Sequence, residues 1–175
     1  MEPQVFTPEV FEDHRGHLYE SYNKARFDEL IGQEIDFVQD NHSRSRRGVL
    51  RGLHYQLPPA DQGKLVRVVR GEIFDVAVDV RRSSPGFGTW QGHRLSAANR
   101  LQFWIPPGFA HGFLVLSETA DVIYKLSTYH RPHLARSVRW DDPTLRIEWP
   151  LEDGMPILSE KDAAAPSLAE AETFD

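Results

Sequence analysis

Residues 64–80 read KLVRVVRGEIFDVAVDV, and the second half of this stretch alternates strictly. Phe74, Val76, Val78 and Val80 fall on one side; Asp75, Ala77 and Asp79 fall on the other. A repeat of two is the period of a β-strand. KLVRVVR is a second strand, and Arg70–Gly71–Glu72 between the two predicts a hairpin.

The same character continues on the C-terminal side. LQFWI (101–105) stops at Pro106–Pro107–Gly108, and FLVLS (113–117) and DVIYKLSTY (121–129) follow. The clearest helix lies earlier, at NKARFDELI (23–31). Asn23 suits the N-cap, and Phe27, Leu30 and Ile31 are expected on one face. Many short strands broken by Gly and Pro predict a mainly β sandwich, jelly roll or barrel with few helices. No repeat or linker divides the 175 residues, so a single domain over 1–175 is expected. The acidic tail AAAPSLAEAETFD (163–175) is expected to pack late or fray.

Composition narrows the function. Hydrophobic residues make up 40% of the chain and aromatics 11%, enough for a packed core. There is no cysteine, which removes disulfides and thiolate chemistry. No apolar run is long enough to span a bilayer, and MEPQVFTPEV lacks the pattern of a secretory leader. A cytoplasmic protein is the expectation. The net charge of −6 argues against a general nucleic-acid binder. Arg44–Ser45–Arg46–Arg47 runs against that trend and reads as a solvated loop or a local anion site.

Several polar residues do not suit a plain sheet. Arg51, His54, Lys64, Asp75, His111 and Tyr124 all stand in strand-like, apolar surroundings. Such groups are costly to bury without partners, so they converge on a site or face solvent. His54, in GVLRGLHYQLPPADQGK (48–64), could be a metal ligand, a packing residue or a catalyst. PPGFAH (106–111) resembles the second motif of the cupin superfamily, P-x-G-x-x-H. The first motif in metal-binding cupins carries H-x-H, but here it reads His54–Tyr55–Gln56. Glu72 could add a carboxylate, yet a metal site usually needs three or four ligands, and no metal is expected. No G-x-S-x-G elbow is present to support a serine nucleophile. Histidine, tyrosine and lysine together suit proton abstraction beside a carbonyl, a chemistry that spacing alone does not establish.

Over nearly the whole chain, about Phe6 to Ser167, the sequence resembles the dTDP-4-dehydrorhamnose 3,5-epimerase family. The segments that carry the resemblance are DHRGHLYESYN (13–23), FVQDNHSRSRRGVLRGLHYQ (37–56), WIPPGFAHGF (104–113), YKLSTYH (124–130), RWDDPTLRIEWP (139–150) and LSEKDAAAP (158–166). The resemblance implies a cupin-type jelly roll and a cofactor-independent isomerase. Its implied substrate is a dTDP-4-keto-6-deoxy sugar, epimerised at C3 and C5 on the way to dTDP-L-rhamnose and cell-surface polysaccharide. His54 is implied as general base, Asp162 as the carboxylate orienting it, and Tyr124 as general acid. Lys64 is implied beside the C4 oxygen. Arg15, Glu20, Gln39, Asn41, Arg51, His111 and Lys161 match substrate-contacting positions. The family often stacks a tyrosine on the base where this chain has His130, with Tyr129 beside it; both are counted as substrate contacts. Ala135 stands where the family often has glutamate. The resemblance also implies a homodimer. Related outcomes are epimerisation at C3 or C5 alone; a metal-dependent cupin and a non-catalytic sugar-nucleotide binder are the competing readings.

Overall fold

A computed structural model describes residues 1–152 and 154–175. Two five-stranded antiparallel sheets face each other as a jelly-roll sandwich. Sheet 1 contains β1 (Gln4–Phe6), β9 (Gln102–Ile105), β6 (Lys64–Arg70), β11 (Thr119–Leu126) and β4 (Gln39–Arg46), in that order. Sheet 2 contains β12 (Ala135–Ser137), β5 (Leu50–Gln56), β10 (Phe109–Val115), β7 (Glu72–Asp79) and β8 (Trp90–Ser96). A separate hairpin of β2 (Val10–Asp13) and β3 (Gly16–Tyr19) precedes α1 (Lys24–Ile31); α2 (Glu160–Ala163) lies near the C-terminus. The mainly β jelly roll expected from the sequence is therefore the observed architecture.

The two strands of the opening stretch do form, but they are not a hairpin. β6 pairs with β9 and β11 in sheet 1, whereas β7 pairs with β10 and β8 in sheet 2. The link between them is a corner that carries the chain from one sheet to the other. Gly71 makes it possible: its φ is +77°, and a Cβ there would lie 2.1 Å from the Thr119 carbonyl oxygen. Both strands are rich in apolar residues because each belongs to a central position in its own sheet.

Alternation then sorts side chains into layers. Val66, Val68, Ile73, Ala77, Phe103 and Phe113 meet between the sheets. Val76, Val78 and Val80 point the other way, into a core closed by Val138, Leu145, Trp149, Leu168 and Ala171 from the C-terminal segments. Sheet 2 is thus covered on both faces, and the tail is docked onto its core rather than frayed. On the outer face of sheet 1, Phe27 and Ile31 of α1 pack with Leu65 and Trp104. Asn23 caps this helix by accepting from the Arg26 amide. Leu30 was expected on the same face but is 60% exposed, because the buried stripe centres on Phe27 and Ile31 and leaves Leu30 at its margin.

The basic run is not a loop. Arg44, Ser45 and Arg46 belong to β4, and Arg44 grips the Asp121 carboxylate at 2.8 and 3.0 Å. Arg47 pairs with Glu152 at 3.0 Å.

Candidate active site

Titratable side chains gather at one end of the space between the sheets. There, sheet 2 presents His54 from β5 directly opposite His111 from β10 in the strand register. This approach needs two glycines. A Cβ on Gly52, whose φ is +128°, would lie 2.5 Å from the Gly112 Cα. Sheet 1 supplies Lys64 at the start of β6 and Tyr124 from β11. Across the mouth, Ser159 caps α2 and the helix delivers Lys161 and Asp162. These side chains, with Arg51 and Phe113, line a cavity of about 200 Å³.

Each histidine is bonded to a different carboxylate. His54 Nε2 lies 2.5 Å from Asp162 Oδ1. His111 Nε2 lies 2.9 and 3.1 Å from the two oxygens of Asp75. The His54 side chain is 37% exposed, whereas that of His111 is 6% exposed. Burial pushes the His111 pKa down and outweighs the pull of Asp75 in the opposite direction, so His111 is neutral at pH 7. Burial disfavours the charge on Asp162 as well. There, hydrogen bonds to His54 and Ser159, the charge on His54 and the Gly52 amide prevail and hold the carboxyl below its ordinary value.

Lys64 is the buried cation of the site. Desolvation lowers its pKa to about 8, partly opposed by Asp75. Its Nζ donates to the His54 carbonyl oxygen at 3.1 Å. At neutral pH it therefore carries its charge mainly in protonated form. With Arg51 and Lys161 it makes a basic pocket in an acidic protein.

A neighbouring cleft of about 290 Å³ shares His54, Lys64, Tyr124 and Lys161 with the cavity. Gln39, Asn41, His130 and Ala135 form its far side. Gln39 accepts from the His130 amide at 3.2 Å and donates to Asn41 at 2.9 Å. The two spaces together reach the size of an ordinary small-molecule site, on the order of 300–1,000 Å³.

Of the residues singled out from the sequence, His54, Lys64, Tyr124, Asp162, Arg51, His111 and Lys161 converge on the cavity, and Gln39, Asn41 and His130 on the adjoining cleft. Three do not join them within this chain. Arg15 sits on the exposed β2–β3 hairpin, paired with Asp13. Glu20 pairs with Arg26 beside a separate groove of about 410 Å³ whose lining has no histidine. Tyr129 is exposed and lines neither space.

The structure also adds residues that the pattern did not mark. Ser159 and Phe113 line the cavity; Gln56, Gln62 and Arg136 line the cleft. Phe113 reads as core, and Ser159 as nothing more than a helix cap. Gln56 stands where the second histidine of a metal-binding cupin motif would be. Its amide instead donates to the Ala60 carbonyl at 2.8 Å and accepts from the Arg131 amide at 2.7 Å. Glu72 is remote from the site and pairs with Arg94 at 2.7 Å.

Comparisons with known proteins bear on the family and the fold. The family model described as dTDP-4-dehydrorhamnose 3,5-epimerase matches residues 2–170. The dTDP-4-dehydrorhamnose 3,5-epimerase of Pseudomonas aeruginosa is 58% identical, over 97% of this chain and 93% of its own. A Legionella pneumophila epimerase, solved in complex with dTDP-4-keto-L-rhamnose, superposes with a TM-score of 0.92 at 52% identity, covering 96% of this chain and 88% of that one. A 3'-monoepimerase from Streptomyces bikiniensis, solved with dTDP-quinovose, gives a TM-score of 0.89 at 37% identity, covering 95% of this chain and 84% of that one. Identity of this order along almost the full length, on a shared jelly roll, makes the chain a member of the dTDP-4-dehydrorhamnose 3,5-epimerase family.

Proposed function

We propose that this protein inverts C3 and C5 of dTDP-4-keto-6-deoxy-D-glucose to give dTDP-4-keto-L-rhamnose. The observation that carries this reading is the position of His54 and Tyr124 on opposite sheets of one cavity that Lys64 also lines. A base on one side of a sugar ring and an acid on the other is what inversion requires.

The C4 carbonyl acidifies the protons on C3 and C5. Asp162 binds His54 Nε2, which leaves Nδ1 as the proton acceptor. His54 removes a proton, and the electron pair moves onto the C4 oxygen as an enolate. Lys64 stabilises that oxygen by its charge. Tyr124 returns a proton to the carbon from the opposite face, and the carbonyl re-forms with the configuration inverted. The second carbon follows by the same steps. No net oxidation takes place, so the cycle calls for no redox cofactor, and we assign it no metal.

Arg51 and Lys161 suit the diphosphate, and His130 with Gln39 and Asn41 suits the nucleoside end. The test is incubation with dTDP-4-keto-6-deoxyglucose in D2O. Deuterium at both C3 and C5 is expected. Uptake at C3 alone supports the second reading, a 3-epimerase, which the Streptomyces relative motivates. No uptake would sink both.

We further propose a homodimer. The β2–β3 hairpin exposes Phe11 and Leu18 together with Arg15, so a second copy is a natural cover for it. A cytoplasmic location and a role in supplying rhamnose to cell-surface polysaccharide fit a nucleotide-sugar enzyme. No helix among the described residues is long and apolar enough to cross a membrane.

A further inference from the structure

The family match ends at residue 170, yet Glu172 beyond it is bonded to residues that line the cleft. Phe174 packs on the core beneath sheet 2, and its amide donates to the Val80 carbonyl at 3.2 Å. Two residues earlier, the Glu172 carbonyl accepts from the Tyr55 hydroxyl at 2.5 Å. The Glu172 carboxylate accepts from Arg136 Nε at 2.8 Å, and Arg136 Nη2 forms an ion pair with the same oxygen at 2.6 Å. Arg136 then spends its remaining donors on the loop before β12. Its Nη1 donates to the carbonyls of His133 at 2.9 Å and Ala135 at 3.1 Å.

That loop is the far wall of the cleft. His130 and Ala135 line it directly, and the His130 amide is bonded to Gln39. One guanidinium therefore ties the C-terminal tail to the wall that faces the part of a ligand remote from His54. The strand register agrees: Arg136 stands opposite Tyr55 and Ala135 opposite Gln56, and all four residues line the cleft.

We infer that Glu172 is a positioning residue for binding. Through Arg136 it holds segment 130–135 in the conformation that receives the nucleoside end of the substrate, an inference that rests on the function proposed above. Glu172 and Arg136 touch neither the base nor the acid, so the effect falls on affinity and leaves proton transfer alone. Glu172 is largely exposed, and pairs of that kind contribute little to global stability. Its effect is therefore local.

The experiment compares wild type with Glu172→Ala and Glu172→Asp in the full chain. Two quantities are read: amide hydrogen exchange in segment 130–135, and the kinetic constants for the dTDP-4-keto sugar. For Glu172→Ala, exchange there is expected to speed up severalfold and KM to rise about threefold to tenfold. kcat should stay within about twofold, and Glu172→Asp should recover part of the lost affinity. Unchanged exchange overturns the inference, as does faster exchange with unchanged KM, or a fall in kcat at constant KM. A wild type without turnover would instead remove the functional reading. The exchange measurement alone would then decide whether the clasp exists.

Discussion

His54 and His111 are direct cross-strand partners on β5 and β10, yet each is bound to its own carboxylate, Asp162 and Asp75 respectively. Under the proposed function the two rings have different tasks. His54, the partly open one, is the proposed base. His111 is enclosed and its pKa is pushed down by burial, which suits a hydrogen-bonding wall.

His54→Ala should lower the rate at least about a hundredfold, the usual scale for a general base. Asp162→Asn keeps the shape but loses the carboxylate that fixes the His54 tautomer, and should cost about a hundredfold or more. Steady-state kinetics on the dTDP-4-keto sugar checks both. His111→Asn should be milder in kcat than either; an equal loss would move the base assignment.

Tyr124→Phe separates the two halves of the reaction. With His54 intact, proton removal and return from the same side continue, so deuterium still enters the substrate from D2O. Inverted product should fall about a hundredfold or more. NMR of the recovered sugar distinguishes exchange from inversion. Loss of both together would contradict Tyr124 as the acid.

Lys64 sets an alkaline limit. Its charge is lost as pH rises through about 8, so kcat should decline there, and Lys64→Met should be nearly inactive at every pH. The stability effect has the opposite sense. Between about 8 and 10.5 the unfolded chain holds a proton on this lysine that the folded chain has released. Stability contributed by this group therefore rises with pH across that window, by roughly 3 kcal/mol in all. At pH 7, where the cost of burying the charge is fully present, Lys64→Met is expected to keep or raise Tm. A clear fall in Tm would mean that the hydrogen bond to the His54 carbonyl outweighs that cost.

Gly52→Ala should destabilise the fold by about 2 kcal/mol or more, because the added Cβ collides with Gly112 and the positive φ strains any side chain. That corresponds to a drop in Tm of about 4–8 °C, read by calorimetry. A variant as stable as wild type would show that β5 and β10 part at this point without cost.

Leu18→Glu places a charge on the exposed hairpin. If two copies meet there, light scattering should report monomer for the variant and dimer for wild type, with Arg15 and Glu20 losing their part in binding. A wild-type monomer would remove the dimer proposal.

Much of this site could be read in the sequence because burial and polarity conflict there. A lysine opening a run of valines, and histidines among apolar strand residues, are costly unless they meet. Their convergence is the structural resolution of that conflict. The layer arrangement was harder to read. KLVRVVR and EIFDVAVDV look like hairpin arms because both are apolar and a glycine separates them. A tight corner between two sheets needs the same glycine, and local pattern does not reveal which sheet receives each arm. The alternation in FDVAVDV marked two faces without showing that the C-terminal segments cover one of them. Leu168, Ala171 and Phe174 are sparse in an acidic tail, so their docking was hidden. Arg15, Glu20 and Tyr129 were carried by resemblance alone, and nothing in their local sequence fixes where the hairpin or the loop comes to rest.

The bond from Lys64 to the carbonyl of His54 has a mechanical consequence. The ammonium is moored to the backbone of the residue proposed as base, although the two come from different sheets. When β5 shifts with thermal motion, proton acceptor and positive charge are carried in the same direction. In the proposed reaction this mooring keeps acceptor and charge together, whichever carbon of the ring is presented to them.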